Sequence, residues 1–284
     1  MTELPRSIQK AALRYERIET DGLKLYPVLV RDYELFLMAR PALEVMQQSL
    51  PVAMMRVPLL SALYQMDYEA ILGGMQPSGL FSRALLLLAL SLRLGEGQEA
   101  EERMKAFRVA VDRENPAKLL CIRYSDEAGE EKEITPALYG RLRQIIAAQN
   151  GVRLESDMAN PALVKAEKDA ASASAVELED SIEDLISAVA VLSGVDESDV
   201  DEWPILKLQR RAESLRRILD YLVCGFGEVN GTTWKGGNPT PHPLLPRKRT
   251  GSGILTALGG SVDARGKTEP PKAAQEIAEN TKNL

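Results

Sequence analysis

Histidine and cysteine, which most often hold metals or carry acid–base and nucleophilic chemistry, are scarce in this chain. It has one histidine, His242, and two cysteines, Cys121 and Cys224, in 284 residues. A zinc site needs several ligands together, and a histidine base needs a nucleophile and an orienting partner. His242 stands between Pro241 and Pro243, with no cysteine or carboxylate cluster beside it in the sequence. We therefore predict no catalytic residue, no metal site and no cofactor-binding site, and we expect that the protein is not an enzyme.

Motifs for binding phosphate or calcium are also absent. The glycines at 225, 227, 236 and 237 do not form the Gly-x-x-x-x-Gly-Lys-Ser/Thr pattern of a phosphate loop. The acidic run 196–202 has Asp201 at its sixth position and Lys207 at its twelfth, where an EF-hand needs Gly and Glu. We interpret this run as negative charge at the start of a helix, where the helix dipole favours it.

Long apolar runs and an excess of basic charge are missing as well. The most apolar run, 80–94, contains Arg83 and Arg93 and is shorter than the roughly 20 residues that a membrane-spanning helix needs. Lys and Arg number 35 against 41 Asp and Glu, a net charge of -6, so nucleic-acid binding is not expected, although Arg247-Lys248-Arg249 is a local basic triplet. Residues 1–15 do not fit a secretory signal. We expect a cytoplasmic protein with reduced, buried cysteines and no membrane partner.

Periodicity of the apolar residues predicts a mainly α fold with a small β-hairpin or short sheet. Aromatics are 5% of the chain and hydrophobic residues 45%, so the core must be mostly aliphatic. Strands are predicted at 23–30, 107–111, 119–124 and 133–134. A helix capped by Asp32 is predicted to lead toward Pro41, and a second helix to run from Pro41 to Ser49. The apolar run 80–94 is predicted as a helix at the centre of the N-terminal part. Thr135-Pro136 is typical of a helix start, and Asn150-Gly151 of a helix end. A long helix is predicted from Trp203-Pro204 to Cys224, on the apolar positions Leu208, Ala212, Leu215, Leu219 and Leu222.

Changes in composition along the chain divide it into four predicted parts. Residues 1–151 read as an N-terminal helical domain with short strands, and 152–180 as a linker with a possible helix. Residues 181–246 read as a C-terminal helical domain. Residues 247–284 lack a periodic apolar pattern, which is typical of a flexible tail.

Two features indicate surfaces for a protein partner. Methionines recur in the N-terminal helices, where they form either core packing or an adaptable binding surface. The segment 237–243 has three prolines in an extended stretch that either docks into a partner's groove or packs on its own domain. With the tryptophans, these features give the candidate partner contacts Met46, Met54, Met55, Trp203, Trp234, Pro239, Pro241 and His242. The helix from Trp203 to Tyr221 is the alternative to the methionine-rich helices as a contact surface.

Three segments together resemble a known family. The first is 26–36, in which Tyr-Pro-Val leads into Tyr33-Glu34-Leu35-Phe36. The second is 134–150, with Ile134-Thr135-Pro136 followed by Tyr139, Leu142-Arg143, Ile145-Ile146 and Gln149-Asn150. The third comprises 182–194 and then Trp203-Pro204-Ile205 with the helix to Tyr221. In this order they are similar to segments of the tail assembly chaperones of long-tailed phages and prophages of Gram-positive bacteria.

The resemblance implies a non-enzymatic function in the cytoplasm of a bacterial host cell. Such chaperones bind the long helical tape measure protein, keep it soluble and help to recruit the tail tube protein, and many families make a longer product by translational frameshifting. The family has no active-site motif that maps onto this chain. A homo-oligomer is compatible with this function. The alternative is a structural tail or connector component that is present in the virion; an enzyme or a nucleic-acid-binding regulator is a third class, for which the sequence offers neither a motif nor a basic surface.

Overall fold

The computed structural model describes residues 4–126, 128–154 and 182–230. Contacts divide the chain into two compact units. The first comprises Met1–Asp169 with Glu177–Arg210, and the second Ala170–Val176 with Arg211–Leu284. The predicted linker 152–180, the residue Ser181 and the predicted tail 247–284 lie almost entirely outside the described residues. The boundaries predicted for the four parts stay a prediction.

The fold is mainly α with two small antiparallel sheets, which confirms the predicted fold class. The helices are α1 (Arg6–Leu13), α2 (Tyr33–Glu44), α3 (Leu59–Leu72), α4 (Leu80–Ser91), α5 (Ala100–Met104), α6 (Pro136–Gln149), α7 (Ile182–Ser193), α8 (Glu197–Asp201) and α9 (Ile205–Val229). The strands are β1 (Ile18–Thr20), β2 (Leu23–Leu25), β3 (Arg108–Val111), β4 (Leu119–Ser125) and β5 (Glu131–Ile134).

Helix α4 lies at the centre of the first unit, as its apolar sequence predicts. Every residue from Ala84 to Ser91 is buried, and the helix packs against α2, α3 and α5. Its amino end is capped from outside by the buried Asp67 of α3. The Asp67 carboxylate accepts hydrogen bonds from Ser78 Oγ at 2.6 Å, Gly79 N at 3.2 Å and Phe81 N at 3.1 Å. This carboxylate therefore supplies the acceptor that the first N–H groups of a helix otherwise lack.

The two sheets follow local turn chemistry. Asp21 and Gly22 both have positive φ, 51° and 75°, which is the geometry of a tight hairpin turn, and they join β1 to β2. The predicted strand 23–30 is shorter than expected and ends at Leu25, and β1 was not predicted. The second sheet has the order β3-β4-β5, all antiparallel, and confirms the three predicted strands.

Helix α2 differs from the prediction at both ends. Asp32 was expected to cap it, but its carboxylate instead pairs with the buried Arg103, at 2.5 Å from Nη2, and makes no cap bond. A separate helix was predicted from Pro41 to Ser49, yet α2 continues through Pro41 to Glu44. Ala39, Ala42 and Leu43 are completely buried, and this packing offsets the one hydrogen bond that a proline removes so near a helix end.

Helix α6 begins and ends where its sequence predicts. Thr135 Oγ accepts a hydrogen bond from Leu138 N at 3.3 Å, Pro136 is the first helical residue, and Gly151 takes positive φ after the last turn. Two side chains of α6, and that of Asn150 directly after it, bind backbone groups elsewhere. Arg143 donates to the carbonyls of Leu43 and Val45 at the end of α2, Gln149 donates to those of Glu16 and Leu25, and Asn150 Oδ1 accepts from Val28 N.

The first residues of α9 belong to the core of the first unit. Val30 N donates to Trp203 O at 2.8 Å, and Ile205 N donates to Val28 O at 2.9 Å. This short antiparallel pairing places the amino end of α9 beside the segment after the hairpin. Ile205, Leu206 and Leu208 are buried there.

Candidate partner-binding surface

Helix α9 changes character where the chain passes from the first unit into the second. Leu208 is 1% exposed. In the part that belongs to the second unit, six large apolar side chains are exposed, by 42% at Ile218, 46% at Leu219, 47% at Leu222, 70% at Val223, 66% at Phe226 and 85% at Val229, and Leu215 is half-buried. Burial of such side chains is the main favourable term in folding and in association. An exposed set of this kind on one helix marks a candidate binding surface.

These residues share one side of the helix. At about 100° per residue, Leu215, Ile218, Leu219, Phe226 and Val229 all lie within about 60° of Leu222, and Val223 lies at about 100°. Leu215, Leu222 and Val229 repeat every seven residues, and the stretch from Leu215 to Val229 is about 21 Å long at 1.5 Å per residue. This surface is called the α9 apolar face, and it is defined by Leu215, Ile218, Leu219, Leu222, Val223, Phe226 and Val229.

The face depends on the helix continuing through two glycines. The predicted helix stops at Cys224, because Gly225 and Gly227 read as a loop, but α9 runs on to Val229. A glycine inside a helix costs roughly 1 kcal/mol relative to alanine, which a long helix tolerates. Asn230 closes the last turn, because both its backbone N and its Nδ2 donate to Phe226 O, at 3.1 and 2.9 Å. Phe226 and Val229 thereby join the face.

Charges around this part of α9 are unevenly placed. Arg211 lies about 20° from Leu222, on the face itself, and Arg216 lies at about 120°, on the same border as Val223. Glu213 and Asp220 lie about 180° and 160° away, on the opposite side. Arg217 Nη2 pairs with Glu213 at 2.5 Å, four residues apart. Two arginines therefore lie on or beside the amino-terminal part of the face.

The residues predicted from sequence as partner contacts differ in how far they are exposed. Met54 is 6% exposed and packs in the core, so in the folded chain it is not available as a contact. Met46 and Trp203 are half-buried, and Met55 is 38% exposed. Lys207 Nζ lies 3.8 Å from the centroid of a Trp203 ring, a cation–π contact. Trp234, Pro239, Pro241 and His242 lie outside the described residues.

One hydrogen-bonding side chain organises the methionine-containing segment. Gln47 Nε2 donates to the carbonyls of Met54, Met55 and Val57, at 3.3, 3.2 and 2.7 Å. These bonds hold the turn that carries Met54 and Met55 next to Met46. Met55 is the most exposed of the three. Met54 packs in the core, whereas its neighbour Met55 lies at the surface.

The helix 203–221 was predicted as a plausible contact surface, but the individual residues of the α9 apolar face were not named as contacts, although their sequence signal was available. The seven-residue step from Leu208 through Leu215 and Leu222 continues to Val229. Periodicity reports which residues share a side of a helix, but it does not report whether that side is buried. Leu208 and Leu222 lie on the same side, and one is buried while the other is half exposed.

A cleft of about 450 Å³ lies in the first unit and has a mixed lining that includes Lys24, Tyr124, Asp126 and Lys132 as well as Leu92 and Leu94. Backbone hydrogen bonds from Glu130 and Ala128 lower the pKa of Asp126, although partial burial opposes them. A hydrogen bond to Glu130 raises the pKa of Lys132, and burial raises the pKa of Tyr124 to about 12. All three shifts move away from neutrality, which is opposite to what a general acid or base needs.

Possible metal ligands are not clustered in the described part of the chain. Within residues 4–126, 128–154 and 182–230, no group of three or more His, Cys, Asp or Glu side chains is close enough to hold a metal ion. Both cysteines are reduced thiols; Cys121 is buried as expected, but Cys224 is half-buried. No helix among those residues is both long and apolar enough to cross a membrane.

Comparison with models of known protein families, with curated proteins and with solved structures found no significant match for this chain.

Proposed function

We propose that this protein is a tail assembly chaperone of a long-tailed phage or prophage of Gram-positive bacteria. It binds the tape measure protein in the cytoplasm of the host cell, keeps it soluble and assists assembly of the tail tube, without catalysing a reaction. Two lines support the proposal. The first is the resemblance of the segments 26–36, 134–150 and 182–221 to this family. The second, which carries most weight, is the exposed α9 apolar face.

The face suits a partner that is itself an elongated helical protein. A helix with an apolar stripe packs against another by interlocking side chains along their length, and the face offers about 21 Å of such contact. A long helical tape measure protein exposes apolar stripes until the tube assembles around it. Binding these stripes on the α9 apolar face shields both surfaces from water.

The magnitude of the interaction fits a reversible complex. Six large apolar side chains are exposed by 42% to 85%, and full burial of one such side chain contributes about 1.5–3 kcal/mol. If each gains about half of that, the face contributes roughly 5–9 kcal/mol. Association costs about 4–15 kcal/mol of lost freedom, so one α9 face gives modest affinity unless several copies bind along one partner. A chaperone that must release its client needs such a balance.

The test is co-expression with the tape measure protein of the phage or prophage that encodes this chain. We expect the tape measure protein to be soluble and to co-purify with this chain, and to be largely insoluble alone. Leu222→Asp places a charge on the face and should abolish the complex. The matched control is Leu192→Asp on α7, because Leu192 is 50% exposed and Leu222 is 47% exposed. A tape measure protein that is equally soluble alone, with no complex formed, rules out the proposal.

Purified phage particles separate this function from the alternative of a structural tail or connector component. A chaperone leaves before the particle is complete, so it should be missing from mature virions. A structural component is present at a fixed number of copies per particle. Quantitative mass spectrometry of purified virions therefore decides between the two.

A further inference from the structure

The apolar residues of α9 recur at alternating steps of three and four residues. Two sets of positions repeat every seven residues, namely Leu208, Leu215, Leu222 and Val229, and Ile205, Ala212, Leu219 and Phe226. A helix with this period packs along another helix of the same period as a coiled coil. Ile205 and Leu208 are buried in the first unit. The seam that is left for another helix therefore runs from Ala212 to Val229, a length of about 26 Å.

The charge along this seam changes sign from one end to the other. Residues 211–217 hold three arginines and one glutamate, a net charge of +2, whereas 221–229 holds Glu228 and no basic residue, a charge of -1. Asp220 lies at the middle of the seam. The amino-terminal part of one such helix therefore matches the carboxyl-terminal part of another in charge, provided that the two helices run in opposite directions.

We propose that the α9 apolar face pairs with the same face of a second copy of this chain, with the two helices antiparallel. In the register that aligns the seven-residue repeats, Leu215 of one copy meets Phe226 of the other. Leu219 then meets Leu222, and Ala212 meets Val229. The inference goes beyond the proposed function, because it concerns the free chain and depends on no client.

The borders of the face also fit this pairing. Ile218 of one copy lies opposite Gly225 of the other, where nothing stands within 4 Å of the place that a Cβ would take, so a large side chain meets open space. On the other border, Arg216 lies opposite Val223 of the second copy. The aliphatic part of an arginine covers apolar surface while its charged end stays in water, so this contact needs no charged partner.

A parallel pair of the same helices is disfavoured by charge. The positions that flank a parallel seam face each other five residues apart, so Arg211 of one copy would meet Arg216 of the other, and this would occur twice in the dimer. Like charges at these positions are unfavourable and decide the orientation of a coiled coil. The antiparallel pair separates the arginines and places each basic end near Glu228 of the other copy.

The size of the contact indicates a reversible dimer. Pairing covers most of the exposed part of six large apolar side chains on each copy, which removes roughly 1,000 Å² of surface in total, the low end for a specific interface. A weak dimer of this kind covers the face in the free chain and still gives way to a client that binds there more tightly, because the two compete by mass action.

The first experiment measures the mass of the full chain by analytical ultracentrifugation between about 1 μM and about 500 μM. We expect the mass to rise from that of one chain to that of two. Leu222→Asp should weaken the dimer at least tenfold, because each copy then places a carboxylate in the apolar seam. Leu192→Asp on α7 is the matched control, with similar exposure of the replaced side chain, and should dimerise like wild type. Circular dichroism shows whether each variant keeps its helix content.

The second experiment determines the orientation by cross-linking through cysteines. Cys224 is replaced by serine, whereas Cys121 is buried and stays. Ala212→Cys and Val229→Cys are made in separate chains and oxidised, alone and as an equimolar mixture. In the antiparallel pair, the two copies of either cysteine are about 26 Å apart, too far for a disulfide, but 212 of one copy meets 229 of the other. We therefore expect cross-linked dimers in the mixture and few in either variant alone.

The inference fails if the chain stays monomeric throughout the concentration range, if it forms particles larger than two chains, or if Leu222→Asp dimerises like wild type. Cross-linking of either cysteine variant alone, as efficient as that of the mixture, would show a parallel pair and also overturn it. The proposed function fails separately. A dimer of this kind without co-purification of the tape measure protein supports the inference and counts against the proposed function, whereas co-purification by a chain that is always monomeric does the reverse.

Discussion

Tyr139 is completely buried in α6, yet its hydroxyl has no hydrogen-bond partner among the described residues. Burying a hydroxyl without a partner costs about 1–3 kcal/mol. Tyr139→Phe removes that oxygen and keeps the ring, which packs in the core. Because the space that one oxygen leaves is small, we expect the free energy of unfolding to rise by about 1–2 kcal/mol. An increase is unusual, because most substitutions in a protein core lower the free energy of unfolding.

Tyr64 provides a control, because its replacement by phenylalanine should change the free energy of unfolding in the opposite direction. The Tyr64 hydroxyl donates to Pro116 O at 3.1 Å. Tyr64→Phe makes the same chemical change but breaks a hydrogen bond that the folded chain does make. It should therefore lower the free energy of unfolding by about 0.5–1 kcal/mol.

High pH increases the difference in free energy of unfolding between wild type and Tyr139→Phe. Burial raises the pKa of Tyr139 from 10.0 to about 12. Above pH 10 the unfolded chain therefore loses this proton before the folded chain does. The unfolded state then binds fewer protons, so stability is unaffected below about pH 10 and falls as the pH rises toward 12. This one group lowers the free energy of unfolding by about 1.4 kcal/mol at pH 11, whereas the phenylalanine ring of the variant has no proton to lose.

Urea unfolding of the full chain near pH 8 and near pH 11 measures both effects. We expect Tyr139→Phe to be more stable than wild type near pH 8, and its advantage to be larger near pH 11. Tyr64→Phe should be less stable than wild type near pH 8. A Tyr139→Phe variant that is less stable than wild type at both pH values would refute the reasoning, because it would mean that the hydroxyl contributes a favourable interaction.

Four further substitutions test the local structure of the first unit, and each is measured by urea or thermal unfolding. Asp67→Ala should cost about 3 kcal/mol, because three donors at the start of α4 lose their acceptor; a loss below about 1 kcal/mol contradicts this. Arg143→Met should cost about 3 kcal/mol by leaving two carbonyls at the end of α2 without a charged donor, and an unchanged midpoint would disprove it. Gly140→Ala, inside α6 with open space around its Cβ, should gain about 0.5–1 kcal/mol. Gly151→Ala should lose stability, because φ is +71° and the new Cβ lies 2.8 Å from a side-chain carbon of Leu206; equal signs for the two glycines would contradict the geometry.

Features that depend on neighbouring residues alone could be predicted from the sequence. The ends of α6 were predicted correctly because Thr135-Pro136 and Asn150-Gly151 act through their own backbone geometry and hydrogen bonds. The buried position of α4 was predictable because its residues are apolar on almost every side. The antiparallel order of β3, β4 and β5 follows from the short connections between them.

Features that depend on distant residues could not be predicted. The continuation of α2 through Pro41 is decided by packing that no local pattern reports. Arg143 binds a carbonyl 100 residues away in the sequence, and Asn150 binds an amide 122 residues away. Such bonds arise only after the helices are placed. The local signals, an arginine inside a helix and an asparagine directly after it, indicate solvent exposure and a helix end.

The candidate site shows the same limit. Methionines and prolines drew attention because their chemistry suits adaptable or extended contacts, yet Met54 is buried. The α9 apolar face has a clear period in the sequence, but its exposure is a property of the folded chain. A cluster of exposed apolar side chains on one helix becomes visible only when the rest of the core is in place.

Hydrogen exchange on the purified complex with the tape measure protein tests most directly whether the α9 apolar face is the binding surface. Amide exchange is compared between the free chain and the complex, peptide by peptide. We expect slower exchange concentrated in residues 215–229, with little change in α4 and α6, which are already buried. A stable complex in which 215–229 exchanges as fast as in the free chain, while another surface becomes protected, would contradict the account.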